Sequence, residues 1–212
     1  MPSTTTSTHP DNSTVPPPVR LGVLGSGAGS NYAALAEAVE RGELAAEFVI
    51  VISDVADAGL LKKAEARGVP AVFVDPGPWQ TKMSDSAQEE MARRLVEAGA
   101  EFVVCAGFMR RLKEPVLKAY PARILNIHPS LLPQFPGRDA IGQALAAGVA
   151  ETGCTVHLVN EEIDSGDILA QEKVPVLPGD THTTLVARVN AAEHRLYPRA
   201  IAAFVKAQAL RI

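Results

Sequence analysis

From residue 19 onward, short apolar blocks alternate with longer runs in which apolar residues recur at helical spacing. "VRLGVLGS" (19–26), "FVIVIS" (48–53), "AVFV" (71–74) and "EFVVCAG" (101–107) are brief and rich in Val, Ile and Phe, which predicts strands. Residues 30–41, "AGLLKKAEARG" (58–68) and a stretch over roughly 84–98 predict helices between them. Strands separated by helices of this length need right-handed crossovers. The expected fold is therefore α/β and Rossmann-like, with a mostly parallel twisted sheet and helices on both faces. Further on, the pattern predicts a helix near 138–147, strands near 153–159 and 168–176, and a final helix from about 181. "CTVHLV" and "DILAQEKVPV" are joined by the turn-rich "NEEIDSGD", so an antiparallel strand pair is expected at one side of the sheet near the C-terminal part. Residues 1–18, "MPSTTTSTHPDNSTVPPP", hold too few apolar side chains to offset the entropy of ordering. They are read as a disordered tail that includes His9, leaving 19–212 as one catalytic-sized domain.

One apolar block is interrupted. In "ILNIHPSLLPQFPG" (124–137), Ile124, Asn126 and His128 would share one side of a strand while Leu125 and Ile127 take the other. Burying an amide and an imidazole together costs several kcal/mol unless both are paired, so use by a ligand is the simpler account than two core decorations. The carboxyl end of a strand in an open α/β sheet is also where ligands bind. Downstream, "EEIDSGDI" offers Asp164 in a tight turn, where a carboxylate near an imidazole would hold it as imidazolium. Asp167 is an equally good acid, and sequence distance does not decide which one meets His128.

A second chemical feature follows the first strand. Gly25, Gly27 and Gly29 let the backbone approach a ligand closely, and the free N–H groups of the next helix attract an anion such as phosphate. No GK[ST] follows, so this is not a P-loop, and GxGxxG fails at Ser30 or at Tyr32. Ser30 and Asn31 could bind a phosphomonoester or cap the helix. Asp54, at the end of the second strand, keeps an NAD-binding dehydrogenase in play as an alternative, although it lies farther from Gly27 than the usual ~20 residues.

Composition narrows the field. The 212 residues are 47% hydrophobic and 21% charged with a net charge of −4, enough for a sizeable core and unlike a general nucleic-acid-binding surface. Cys105 and Cys154 lack metal or redox spacing and read as small buried hydrophobes. There is no apolar run long enough to span a bilayer and no secretory signal, so neither membrane nor nucleic acid is expected as a partner and a cytoplasmic location is.

Taken together, "GSGAGSN", "AGFMRRL" (106–112), "ILNIHPSLLPQFPG", "ETGCTVHLVNEEIDSGDILAQ" (151–171) and "AEHRLYP" (192–198) closely resemble the phosphoribosylglycinamide formyltransferase family, folate-dependent enzymes of purine biosynthesis. The Asn-x-His-Pro-Ser-Leu-Leu-Pro string and the later Asp are shared with the wider formyltransferase superfamily. The resemblance implies a 10-formyltetrahydrofolate donor, a glycinamide ribonucleotide acceptor, no metal, and a catalytic trio of Asn126, His128 and Asp164. It also implies that Gly29, Ser30 and Asn31 receive the ribonucleotide phosphate, while Asn190 and Glu193 contact the rest of that substrate. Met109, Arg110, Arg111 and Leu112 would line one side of the folate pocket, with Asn160, Glu161, Glu162, Ile163 and Asp164 on the other. Arg111 stands where an apolar residue is common. Many members carry an Arg before the third long helix, whereas this chain reads "WQTKMSDSAQEE", leaving Lys82 as the nearest cation for the folate's anionic tail. A lysine there would give a more salt-sensitive contact. Formyltetrahydrofolate hydrolase and methionyl-tRNA formyltransferase share the trio but carry further domains. A sugar-nucleotide amine formyltransferase is the alternative within the superfamily, and the glycine loop speaks against it. The chain is expected to act as a monomer or homodimer.

Overall fold

The protein is described by a computed structural model covering residues 17–79 and 82–209. The expected tail through residue 16, His9 included, lies outside the described residues. Among the described residues, seven strands form one sheet: β1 (Val19–Leu24), β2 (Ala46–Ser53), β3 (Ala71–Phe73), β4 (Phe102–Cys105), β5 (Ile124–His128), β6 (Glu151–Leu158) and β7 (Ile168–Pro175). Their order is β3-β2-β1-β4-β5-β6-β7. Pairing is parallel from β3 through β5 and antiparallel for β6–β7, as expected, and antiparallel also for β5–β6, which the sequence pattern does not reveal. The helices are α1 (Ser30–Glu40), α2 (Gly59–Glu65), α3 (Asp85–Glu97), α4 (Glu114–Ala119), α5 (Ala140–Ala146) and α6 (His182–Ala209).

Only α4 goes unanticipated. It has six residues and opens with Pro115 near its first position, too short for an apolar period to register, and Val116 is its one buried side chain. The third helix is fixed at its start by Ser84, whose hydroxyl accepts the Ala87 N–H at 3.1 Å.

Alternation along the strands builds two cores. Leu21, Val23, Val104, Leu125, Ile127 and Val156 face Tyr32, Leu35, Leu185 and Val189 of α1 and α6. On the opposite side, Leu24, Ile52, Val103, Cys105 and Ile124 meet Met91 and Leu95 of α3 and Val116 of α4. Both cysteines are buried and unpaired, their thiols pushed up to about 12 by burial. The sheet order reverses at β1, which pairs with β2 on one side and β4 on the other, and ligands bind at the carboxyl ends beside such a switch. The loops leaving β1 and β4 meet there. The Ser26 N–H donates to the Gly107 carbonyl at 3.0 Å, and the Met109 N–H donates to the Ser26 hydroxyl at 2.8 Å.

One side chain joins the long helix to the strands under the site. Tyr197, 1% exposed, directs its hydroxyl at the carbonyls of Cys105 (3.0 Å) and Leu125 (2.9 Å). Replacing it by Phe leaves the ring's packing intact and removes those bonds, so Tyr197→Phe should lose about 1–3 kcal/mol of stability by urea denaturation with an unchanged m-value.

Candidate active site

β5 carries Asn126 and His128 on the same side as Ile124, so the alternation read from the sequence is the one the strand adopts. The turn between β6 and β7 returns Asp164 to this strand end. Asp164 sits at φ 51°, in the left-handed region, and Gly166 beside it has no room for a side chain, since a Cβ would lie 1.8 Å from the Leu158 carbonyl oxygen. Asp164 Oδ2 lies 3.3 Å from His128 Nδ1 and accepts the Gly137 N–H at 2.8 Å. Asp167 is exposed, so the carboxylate left open by the sequence is resolved in favour of Asp164. Burial pushes the Asp164 carboxyl up, but the adjacent His157 ring, the Gly137 N–H and the charge of His128 together hold it below the usual carboxylate range. It is ionised at neutral pH.

His128 is 5% exposed, and its Nε2 lies 2.9 Å from the Phe135 carbonyl. Both ring nitrogens therefore face acceptors. That demand is met in full only with a hydrogen on each. The loop that supplies Phe135 doubles back after β5. Thr155 donates to Ser130 O and accepts Leu132 N–H, while Gln171 donates to Leu132 O, all within 3.0 Å.

A residue absent from the sequence-based site belongs to this cluster. His157 pairs with Asn126 across β5 and β6, and the two side chains meet at 3.1 Å, Nδ2 to Nε2. Its Nδ1 donates to Leu158 O at 2.9 Å, which leaves Nε2 of the neutral ring as acceptor, and Asp164 Oδ1 is 3.6 Å away. Asn126 then retains one amide hydrogen. The signal was present in "CTVHLV": Thr155 and His157 alternate with apolar residues as Asn126 and His128 do.

On the other side of the switch point, Gly29 takes φ 74° against α2, where a Cβ would lie 2.7 Å from Leu60 Cα, and no side chain caps α1. The capping reading of Ser30 and Asn31 therefore fails. Asn31 instead donates to Glu193 Oε2 at 3.0 Å, and its own Oδ1 is buried without a partner among the described residues. Glu193 is 5% exposed, and desolvation raises its carboxyl to about 7 against the pull of Asn31. Asn190 is half-buried one turn earlier on α6.

The segment after β4 is clamped. Arg110 pairs with Asp54 at 2.6 Å, side chains 12% and 1% exposed, and also donates to the carbonyls of Trp79 and Lys82. Asp54 is thereby buried against a cation rather than available to a ribose, which removes the support for a dinucleotide site. Met109 and Ile163 are exposed on the two segments expected to flank a folate, while Leu112 is buried in the core beneath. Asn160 accepts from Glu162 N–H and the Ser165 hydroxyl, shaping the second segment, and Glu162 is exposed. Lys82 is exposed and forms no ion pair among the described residues. Among them no cluster of His, Cys, Asp or Glu could hold a metal ion, and no helix is long and apolar enough to cross a membrane.

The parallel sheet with its antiparallel edge is of Rossmann-like α/β class, with an Asn/His/Asp cluster at its strand ends and a glycine loop across the switch point. The chain belongs to the Formyl transferase family, which it matches over residues 19–201. It is similar to the phosphoribosylglycinamide formyltransferase of Bacillus subtilis, at 36% identity over 86% of this chain and 92% of that one. It is 46% identical to the trifunctional purine biosynthetic protein adenosine-3 of Gallus gallus over 86% of its length, and spans 18% of that protein. The crystal structure of glycinamide ribonucleotide transformylase 1 from Symbiobacterium toebii superimposes with a TM-score of 0.87 at 44% identity, covering 95% of this chain and 94% of that one.

The raised Glu193 carboxyl has a thermodynamic consequence. The folded state holds a proton there that the unfolded chain releases near the ordinary value of 4.5, so the acid's contribution is fully present below that value and is lost as pH rises toward about 7. Glu193→Gln should remove this loss, gaining up to about 3 kcal/mol relative to the parent between pH 5 and pH 8. Denaturant melts at the two pH values test it, and an equal effect at both would show that Glu193 is ionised in the folded state.

Proposed function

We propose that the chain transfers the formyl group of 10-formyltetrahydrofolate to the primary amine of N1-(5-phospho-D-ribosyl)glycinamide, releasing tetrahydrofolate and the formylated ribonucleotide in de novo purine synthesis. The observation that carries this reading is the contact between the buried Asp164 carboxylate and His128, beside an Asn126 amide that keeps one hydrogen free. Family membership and the similarity to phosphoribosylglycinamide formyltransferases support the choice of substrates.

Attack of the amine nitrogen on the formyl carbon forms a C–N bond and turns the carbonyl into an oxyanion. Collapse breaks the bond to the folate nitrogen. Asn126 donates its free Nδ2 hydrogen to that oxyanion, an interaction stronger in the transition state than in the ground state. His128 supplies positive charge beside it, and exchanging the Phe135 carbonyl for the substrate oxygen would bring its N–H into the same role. The amine loses one proton overall and the folate nitrogen gains one, with Asp164 stabilising the charged imidazole and assisting the transfer, directly or through water. His157 orients Asn126 by accepting its other hydrogen.

Acceptor recognition falls to the opposite side of the switch point. The N–H groups at the start of α1, with Gly29 and Ser30, bind the phosphate. Asn31, Asn190 and Glu193 contact the ribose and glycinamide, and the unpartnered Asn31 Oδ1 supports this by offering a buried acceptor. The donor's ring system lies between residues 109–112 and 160–164, and Lys82 is the cation proposed for its anionic tail. Action as a monomer or homodimer, in the cytoplasm, completes the reading.

Asn126→Ala should lower kcat by about 10²–10³, the loss typical of one oxyanion donor. The assay is folate absorbance with glycinamide ribonucleotide, compared with water and a sugar-nucleotide amine as acceptors. Undiminished transfer by the variant, or a preference for either other acceptor, would overturn the proposal. In the same assay, Lys82→Ala should raise the folate KM more at low salt than at high salt, because screening weakens a point-charge contact.

A further inference from the structure

Two polar side chains that the reaction does not use hold the donor-side segment from below and from across the site. Gln88 of α3 is 0% exposed, and both ends of its amide are taken by that segment: Nε2 donates to Arg111 O at 2.9 Å, and Oε1 accepts Lys113 N–H at 3.2 Å. A buried amide with every strong contact made to one stretch of backbone fixes that stretch in space. With Arg110 tied to Asp54 on one side and Gln88 on the other, the Arg111 backbone is pinned between two anchors. Its side chain then reaches across to the turn that carries Asp164. Both Nε (3.1 Å) and Nη2 of the guanidinium donate to the Glu161 carbonyl.

We infer that Arg111 is a positioning residue that sets the gap between segments 109–112 and 160–164, and so the fit of the flat ring system of the formyl donor between them. The inference rests on the proposed function for the identity of that ring. Three features carry it. The contact ends on a backbone carbonyl, so it constrains the turn irrespective of which side chain occupies position 161. Glu161 lies three residues from Asp164, whose φ of 51° is held by its surroundings rather than by its own preference, so the tether restrains the same turn that delivers the carboxylate. Each bridged segment also presents an exposed apolar side chain, Met109 at 68% and Ile163 at 60%, a pair suited to the two faces of a planar ligand. An arginine suits this span because its planar fork places two donors on one acceptor, whereas a lysine offers one mobile ammonium.

The test uses the full chain with Arg111→Met, which keeps length and packing but removes both donors, and with Arg111→Lys. The expected result is a rise in KM for 10-formyltetrahydrofolate of about fivefold to tenfold in Arg111→Met, a glycinamide ribonucleotide KM within about twofold of the parent, and partial recovery in Arg111→Lys. Amide hydrogen exchange of residues 160–166 without ligands should quicken in Arg111→Met and leave α1 and α6 unchanged. The exchange measurement needs no activity, so it separates this inference from the proposed function. If the parent lacks formyl transfer yet the turn still loosens, the tether stands and the ligand assignment falls. Unchanged exchange over 160–166, or a donor KM that stays with the parent's while the acceptor KM rises, would overturn the inference.

Discussion

The site depends on one buried carboxylate with three claimants. Asp164 faces His128 from β5 and His157 from β6, and it accepts the Gly137 N–H from the loop between them. A carboxylate largely shielded from water stays ionised only where charge and donors offset its lost hydration, and here those come from His128 on β5 and from the loop that carries Gly137. The strained backbone at Asp164 and at Phe135, φ 51° and 53°, is tolerated because these contacts over-determine it. Removing the charge would release the turn, the loop and the imidazole together.

That cluster lies on one side of a switch in strand order, and the glycine loop after β1 on the other. The reversal at β1 opens a crevice, with Gly29 free of a side chain so that α1 can start against Leu60. The two halves are in direct contact through Ser26, which bonds both Gly107 and Met109. Under the proposed function, an acceptor at the glycine loop and a donor beside residues 109–112 would meet above the end of β5. On the glycine-loop side, burial raises the Glu193 carboxyl to about 7, and Asn31 is its hydrogen-bond donor.

The fold was legible because its elements are long enough to show their period. Six of the seven strands and every helix but α4 were marked by spacing and by turn residues, and the seventh strand, β5, was recognised by the same alternation that exposed Asn126 and His128. His157 escaped for a physical reason: a polar residue in an apolar strand looks like core until its cross-strand partner is known, and register between β5 and β6 is not local. Ser30 and Asn31 were ambiguous on the same ground, since cap and ligand site use identical side chains.

By itself, the amino-acid order determined the local conformations, the faces of the strands and the chemical groups available, because these follow from neighbouring residues. Tertiary structure alone chose Asp164 over Asp167, paired Asp54 with Arg110 and so closed the dinucleotide reading, and turned Asn31 toward Glu193. It also decided that Arg111 should bridge two segments lying about fifty residues apart in the chain. Such contacts depend on strand order and loop closure, where distances in space are set by packing rather than by position along the polymer.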